Sequence, residues 1–223
     1  MSSIIITIDG PAASGKGTLS KRISLDFNLH YLETGIYYRA LASLFHNKKK
    51  LDLELSAFIT DLNKTEFIEF VTNNKEDLYT LKITELASKF AKVLDIRKFI
   101  VNIQKETINA LDKKFNGIIL EGRDCGSVIA PEADVKIFLT SNIETRAQRR
   151  FDQFLKDGKN VSYRKVLNDL QERDLQDQNR KHSPLQKPKG AIILDNTNYD
   201  LEETINIVKN IIFSNIPSLK NKI

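Results

Sequence analysis

An α/β fold, a parallel sheet covered by helices on both faces, is what this sequence predicts. Three observations carry it. Short apolar runs bounded by turn residues recur at long intervals, and amphipathic helical stretches fill those intervals. The runs are also continuously apolar rather than alternating, as strands buried on both faces are. Ile4–Ile8, Ile118–Leu120, Val135–Leu139 and Ala191–Leu194 are the clear strands, and His30–Leu32 is a shorter fifth. Helices are expected at about 15–27, 35–46, 95–113, 142–156, 162–178 and 200–213. One region breaks the rhythm. Phe67–Val71 and Leu78–Ile83, separated by Thr-Asn-Asn-Lys-Glu-Asp, suggest a small antiparallel hairpin inserted into the core.

With 223 residues, 41% hydrophobic and 28% charged, the chain has the size of one ordinary domain carrying insertions. No apolar run approaches the roughly 20 residues of a membrane helix. The start, MSSIIITIDG, lacks the basic region of a signal peptide, so a cytoplasmic protein is expected. One cysteine and three scattered histidines argue against a disulfide framework, a Cys-based zinc site and a transition-metal site, and Cys125 is expected to pack as a small apolar group. A formal charge of +5 suits an anionic small molecule and is thin for a nucleic-acid stripe. The lysine runs Lys48–Lys50 and Lys220–Lys222 are expected to be solvated surface. Arginine is scarcer and more informative: six of ten (Arg146, Arg149, Arg150, Arg164, Arg173, Arg180) fall within residues 146–180. A planar guanidinium binds phosphate bidentately, although a salt-bridged helix face would use the same residues.

The strongest local motif is Gly10-Pro11-Ala12-Ala13-Ser14-Gly15-Lys16-Gly17-Thr18, directly after the first strand and opening a helix. It fits G-x-x-x-x-G-K, the P-loop, whose backbone N–H groups cradle phosphates while the lysine reaches the β- and γ-phosphates. Glu121-Gly122-Arg123-Asp124 ends a strand at the edge where open parallel sheets bind ligands. Glu121 there resembles a Walker B acid near Mg²⁺, and Arg123 is suited to a second phosphate, but a simple Arg–Asp turn has the same spelling. In Glu172–Arg180, the residues Arg173, Asp177 and Arg180 stand at i, i+4 and i+7, one helical face. That face either presents Arg to phosphate and Asp to ribose hydroxyls or is a plain salt-bridge ladder. Thr34 caps a helix carrying Arg39 on its second turn, and Ser88 and Arg97 lie in one helical segment after the hairpin.

These pieces resemble the bacterial cytidylate kinase family over nearly the whole chain. GPAASGKGT, YLETGIYYR, SKFAKVLDIRK, EGRDCGSVIAPEADVKIFL, ETRAQRR, ERDLQDQNR and ILDNT occur in family order. The resemblance implies a P-loop NTPase-type five-stranded parallel sheet flanked by helices in a single domain, 1–223, with an NMP-binding insertion at about 34–95 and a LID at about 150–165. It implies transfer of the γ-phosphoryl group of ATP to CMP or dCMP, with Mg²⁺ as cofactor, no nucleic-acid or membrane partner, and a monomer. Residues 10–18, with Arg149 and Arg150, would hold ATP. Arg39, Arg123 and Arg180 would hold the acceptor phosphate, and Thr34 would also belong to the CMP site. Ser88, Arg97 and Asp124 would read cytosine, and Arg173 and Asp177 the sugar. Lys16, Arg123 and Arg180 would be catalytic. Mg²⁺ would be bound through ATP and water, with Thr18 and Glu121 behind it and no direct protein ligand. A carboxylate at Asp124 can accept from the cytosine amino group where uracil presents a carbonyl. The chain departs from the family in having Glu121 where Asp is usual, and in a shortened insert before Ser88.

Other P-loop kinases of small molecules, including UMP, adenylate and shikimate types, share the loop but not the Ser88, Arg97, Asp124 set. A P-loop GTPase-type switch would need D-x-x-G and N-K-x-D. The first is absent, and Asn63-Lys64-Thr65-Glu66 is the nearest to the second.

Overall fold

The isoleucine-rich run at the N-terminus becomes the middle strand of the sheet. In the computed structural model, which describes residues 3–47 and 55–222, β1 (Ile4–Asp9) is followed by α1 (Lys16–Asp26) and β2 (Leu29–Glu33). Then come α2 (Gly35–Asn47), α3 (Leu55–Thr60), α4 (Lys64–Asn73), α5 (Leu81–Phe90) and α6 (Leu94–Asn109). The chain continues through β3 (Gly117–Gly122), β4 (Val135–Thr140), α7 (Ile143–Lys156), α8 (Tyr163–Gln178), β5 (Ile192–Asp195) and α9 (Leu201–Asn215). The run Lys48–Lys50 lies outside the described residues. The described chain forms two units, one built from 1–32 and 111–223 and the other from Glu33–Ala110.

In the first unit the five-stranded parallel sheet has the order β2-β3-β1-β4-β5. β1 pairs with β3 from Ile4 opposite Gly117 to Asp9 opposite Gly122, and with β4 from Ile6 opposite Val135. This register brings the C-terminal ends of β1 and β3 level, so Asp9, Gly10, Glu121 and Gly122 share one edge. Ile6 and Ile8 of β1 are fully buried against Leu19 and Ile23 of α1 and Ile205 and Val208 of α9. Each such side chain contributes about 1.5–3 kcal/mol through burial. α9 starts in a reciprocal capping box, in which the Asp200 side chain accepts from the Glu203 N–H and the Glu203 side chain accepts from the Asp200 N–H. Cys125 is fully buried. A smaller apolar cluster sets Ala147 of α7 and Val166 and Leu170 of α8 against Ala12 of the P-loop.

The second unit is helical, and the hairpin expected at 67–83 is not there. Phe67 and Val71 lie on α4, Leu78 in a 3₁₀ turn (Glu76–Tyr79), and Ile83 on α5. Phe67 and Val71 are buried one helical turn apart, and Ile83, Ala87 and Phe90 follow at i, i+4 and i+7. Asn63 accepts from the Thr65 and Glu66 amides, and Thr80 from that of Ile83, so each helix has its N-cap. The rings of Phe45, Phe58 and Phe90, and of Tyr37, Phe67 and Phe99, pack inside this unit. Ser88 and Arg97 stand on different helices, α5 and α6, rather than in one segment.

Candidate active site

The loop after β1 is fixed by the close approach of β4. A Cβ on Gly10 would stand 1.9 Å from the Leu139 carbonyl oxygen, and Gly10 has a φ of 152°, so only glycine serves there. Ala13 and Gly15 are both left-handed, with φ of 59° and 90°, and α1 opens at Lys16. Three side chains grip the loop's carbonyls. Lys16 Nζ donates to Pro11 O at 2.7 Å, Arg146 Nη1 to Ala12 O at 3.1 Å, and Asn196 Nδ2 to Ser14 O at 3.1 Å. A peptide whose carbonyl is held on one side turns its N–H to the other. The result is a preorganised concavity of donors, with the N-terminal end of α1 adding positive potential. Such a concavity can hold a polyphosphate.

Lys16 is buried, 3.9 Å from Glu121 Oε1. Burial, with Arg123 and Arg173 nearby, lowers its ammonium to about 7 against the pull of Glu121 and Asp9. The P-loop lysine therefore shares one electrostatic neighbourhood with the strand-end acid and two arginines. Arg123 Nε donates to Asp177 Oδ2 at 3.0 Å, and Arg180 Nη1 lies 3.7 Å from Asp177 Oδ1. Burial alone would raise the Asp177 carboxyl, but Arg123, Arg180 and Arg173 outweigh it and hold the group below the usual carboxylate range. Burial likewise opposes the charge of Arg123, and Asp177 and Glu121 more than restore it. Arg173 and Asp177 are on α8 as expected, whereas Arg180 stands two residues beyond the helix end at Gln178. It still reaches Asp177 from there.

The arginines of α7 divide. Arg146 is interior: Nε donates to Ser141 O and Nη1 pairs with Asp174 Oδ2 of α8 at 2.6 Å. Arg149 donates to the Asn196 side chain and backbone and to Tyr199 O, on the loop after β5. Arg150 lies over the Phe154 ring, 4.4 Å from its centroid. Between the two helices, Phe151 meets Tyr163 edge to face, with Gly158 left-handed at the tip. In the second unit, Thr34 is buried and its carbonyl accepts from Gln104. Arg39 Nη1 donates to Thr84 Oγ1 at 2.6 Å and its guanidinium covers the Tyr79 ring. Ser88 lies one helical turn beyond Thr84 on α5. Arg97 donates to Ala91 O and faces the Tyr38 ring.

Sequence reasoning missed three contributors. Asp9, at the end of β1, carries the same signal as Glu121, an acid closing an apolar strand. Asn196 directly follows β5 within the ILDNT segment, and Asp174 sits between Arg173 and Asp177 on α8. Among the described residues no group of His, Cys, Asp and Glu could hold a metal alone, and no helix is long and apolar enough to cross a membrane. Thr18 is exposed on the first turn of α1, and Glu121 stands beside Lys16. A hydroxyl and a carboxylate are hard oxygen donors that fit Mg²⁺ arriving with a nucleotide's phosphates.

Residues 6–214 match the family model described as Cytidylate kinase. The cytidylate kinase of Bartonella tribocorum is 39% identical over 208 residues, covering 93% of each chain. That of Clostridium botulinum strain Okra is 38% identical and covers 95% of this chain and 99% of its own. That of Thermosipho africanus is 38% identical over 214 residues. The crystal structure of an uncharacterized protein from Eubacterium ventriosum shares the fold, with a TM-score of 0.53, 14% identity, and coverage of 95% of this chain and 99% of that one.

Proposed function

Because the chain belongs to the cytidylate kinase family, we propose that it transfers the γ-phosphoryl group of ATP to CMP or dCMP, giving ADP and CDP or dCDP. It is a nucleoside monophosphate kinase. The observation that best supports the reading is the meeting of the P-loop lysine with the arginines: Lys16 senses the charges of Arg123 and Arg173, and Asp177 ties Arg123 to Arg180. Donor and acceptor phosphates both need such positive charge.

The acceptor is already an anionic phosphate oxygen, so no general base is required. That oxygen attacks the γ-phosphorus while the bond to the β–γ bridging oxygen breaks and ADP leaves. Catalysis is then alignment and neutralisation of spread negative charge. Residues 10–18 hold the ATP phosphates, and Lys16 leaves Pro11 O to follow the transferring group. Arg149 and Arg150 serve the donor. Arg123 and Arg180 hold the acceptor phosphate, joined by Arg39, and Thr34 belongs to the CMP site. Asp124, Ser88 and Arg97 read cytosine. Arg173 and Asp177 lie at the sugar, Asp177 also keeping Arg123 and Arg180 in place. Thr18 and Glu121 would stand behind an Mg²⁺ arriving with ATP, which would supply neutralisation of phosphate charge. Residues of about 34–95, within the helical second unit, serve as the NMP-binding region, and 150–165 as a LID that excludes water on closing. The enzyme works as a cytoplasmic monomer.

A coupled ADP-release assay across all nucleoside and deoxynucleoside monophosphates, with shikimate as a further acceptor, tests this. CMP and dCMP should be the best acceptors by kcat/KM. A clear preference for AMP, UMP or shikimate would overturn it.

A further inference from the structure

Asp9 closes β1 immediately before the P-loop and is fully buried; its charge reaches Lys16, but no contact with substrate has been assigned to it. Its two oxygens are both committed. Oδ1 accepts from the Cys125 N–H and Oδ2 from the Gly126 N–H, each at 2.8 Å. These amides open the π-helical turn Cys125–Ile129 that directly follows Arg123 and Asp124. The turn presses on the same strand at a second point. A Cβ on Gly126 would come within 2.8 Å of Thr7 Oγ1 and 3.1 Å of Pro188 Cγ, so the backbone lies too close for any side chain. Asp124 has a φ of −142° and a ψ of 22°, outside the helical region, so its direction depends on where the turn behind it is anchored.

We propose that Asp9 is a positioning residue for acceptor choice: by holding the Cys125 and Gly126 amides it fixes Arg123 and Asp124 against the root of the P-loop. Donor loop and acceptor-reading turn are thereby hung from adjacent residues of one strand, Asp9 and Gly10. The bidentate grip sets both the height and the rotation of the turn, which a single hydrogen bond cannot do. The inference rests on the acceptor roles proposed for Arg123 and Asp124.

Asp9→Asn tests it, because the amide keeps the shape but must point its NH₂ at one of the two N–H donors. Steady-state kinetics should show kcat/KM for CMP falling about 10- to 100-fold, as expected for one lost charge-assisted bond. The CMP/UMP ratio should shrink, while KM for ATP stays within about twofold. In an Asp124→Asn background, adding Asp9→Asn should not shrink the ratio further, because Asp9 acts on base choice through Asp124. An unchanged ratio in the single variant, or a further loss in the double, overturns the inference. So does a rise in KM for ATP with the ratio intact. Wild-type enzyme with no preference for CMP would instead overturn the function on which the inference rests. Should Asp9→Asn fail to fold, amide exchange in the wild-type enzyme decides: Cys125 and Gly126 N–H should both be strongly protected without ligand, and rapid exchange of either refutes the grip.

Discussion

Replacing Asp177 by Asn keeps the shape of the side chain and removes its charge. The carboxylate is 12% exposed and stands between Arg123 at 3.0 Å and Arg180 at 3.7 Å, themselves 18% and 7% exposed. Two guanidinium groups thus share one counter-ion away from bulk water. The Arg123 bond is charge-assisted and contributes roughly 1.5–3 kcal/mol. Breaking a buried pair from one side costs about 3–5 kcal/mol because the remaining charge is stranded. Asn retains one acceptor oxygen, so about 2–4 kcal/mol is expected, equivalent to a Tm lowered by roughly 4–16 °C. The pH dependence has a definite sign. The folded carboxyl is held below its unfolded value, so its stabilisation is present above the unfolded pKa and disappears as pH falls through the folded one. Thermal unfolding should therefore separate the proteins fully at pH 7 and bring them together well below pH about 4. In kinetics both CMP and dCMP should lose kcat/KM by at least about tenfold, since both need the arginines held, with the larger loss on CMP. A variant whose Tm at pH 7 matches the wild type would show that the arginine pair does not depend on Asp177.

Three further outcomes are expected. Because burial holds Lys16 near 7, ATP binding at pH 8 should draw up to one proton from solution, seen as buffer-dependent calorimetric heats. On the same account the cost that this lysine places on folding is relieved as pH rises from about 7 toward 10.5; Lys16→Met should abolish the proton uptake and lower kcat at least about 100-fold, and uptake that persists in it would place the titrating group elsewhere. Arg146→Met strands Asp174 and releases the Ala12 carbonyl, so it should cost about 3–5 kcal/mol in urea unfolding and raise KM for ATP, whereas unchanged values of both would remove Arg146 as a loop support. Hydrogen exchange across Phe154–Tyr163 should slow when both nucleotide sites are filled, and equal exchange with and without ligand would count against a closing LID.

The sheet was legible because its strands are continuous apolar runs ended by turn or acidic residues, a pattern that needs no long-range information. Even the short His30–Leu32 run found its place as β2. The region 67–83 was not, for a physical reason. Phe67 with Val71 fits one face of a helix turn as well as it fits a five-residue strand, and periodicity alone cannot separate the two over so short a window. The deciding signals were the caps, Asn63 followed by Glu66 and Thr80 before Ile83, which favour helix starts. At the site, the P-loop with Lys16, and Glu121 with Arg123, followed from motifs placed at strand ends, and Arg173 and Asp177 from their spacing on one helical face, whereas Arg180 lies beyond that helix. The inward supports did not. Arg146, Asn196 and Asp9 bind backbone groups far away in sequence, and a bond to a carbonyl or an amide leaves no mark on the partner's residue type.

The strand order has a consequence for synthesis. β1 is central, yet its neighbours β3 and β4 begin at Gly117 and Val135, beyond the entire second unit. At roughly 5–20 residues per second, the ribosome makes the first strand many seconds before either partner exists. Through that interval an isoleucine-rich segment with unpaired edges is exposed on the nascent chain, a template for pairing with the wrong neighbour. Residues 33–110 form contacts within one continuous stretch and can organise while the N-terminus waits. Exposure of the nascent β1 segment, and refolding of the full chain that is slow relative to its helical unit, are the expected costs of a sheet whose central strand is made before its partners.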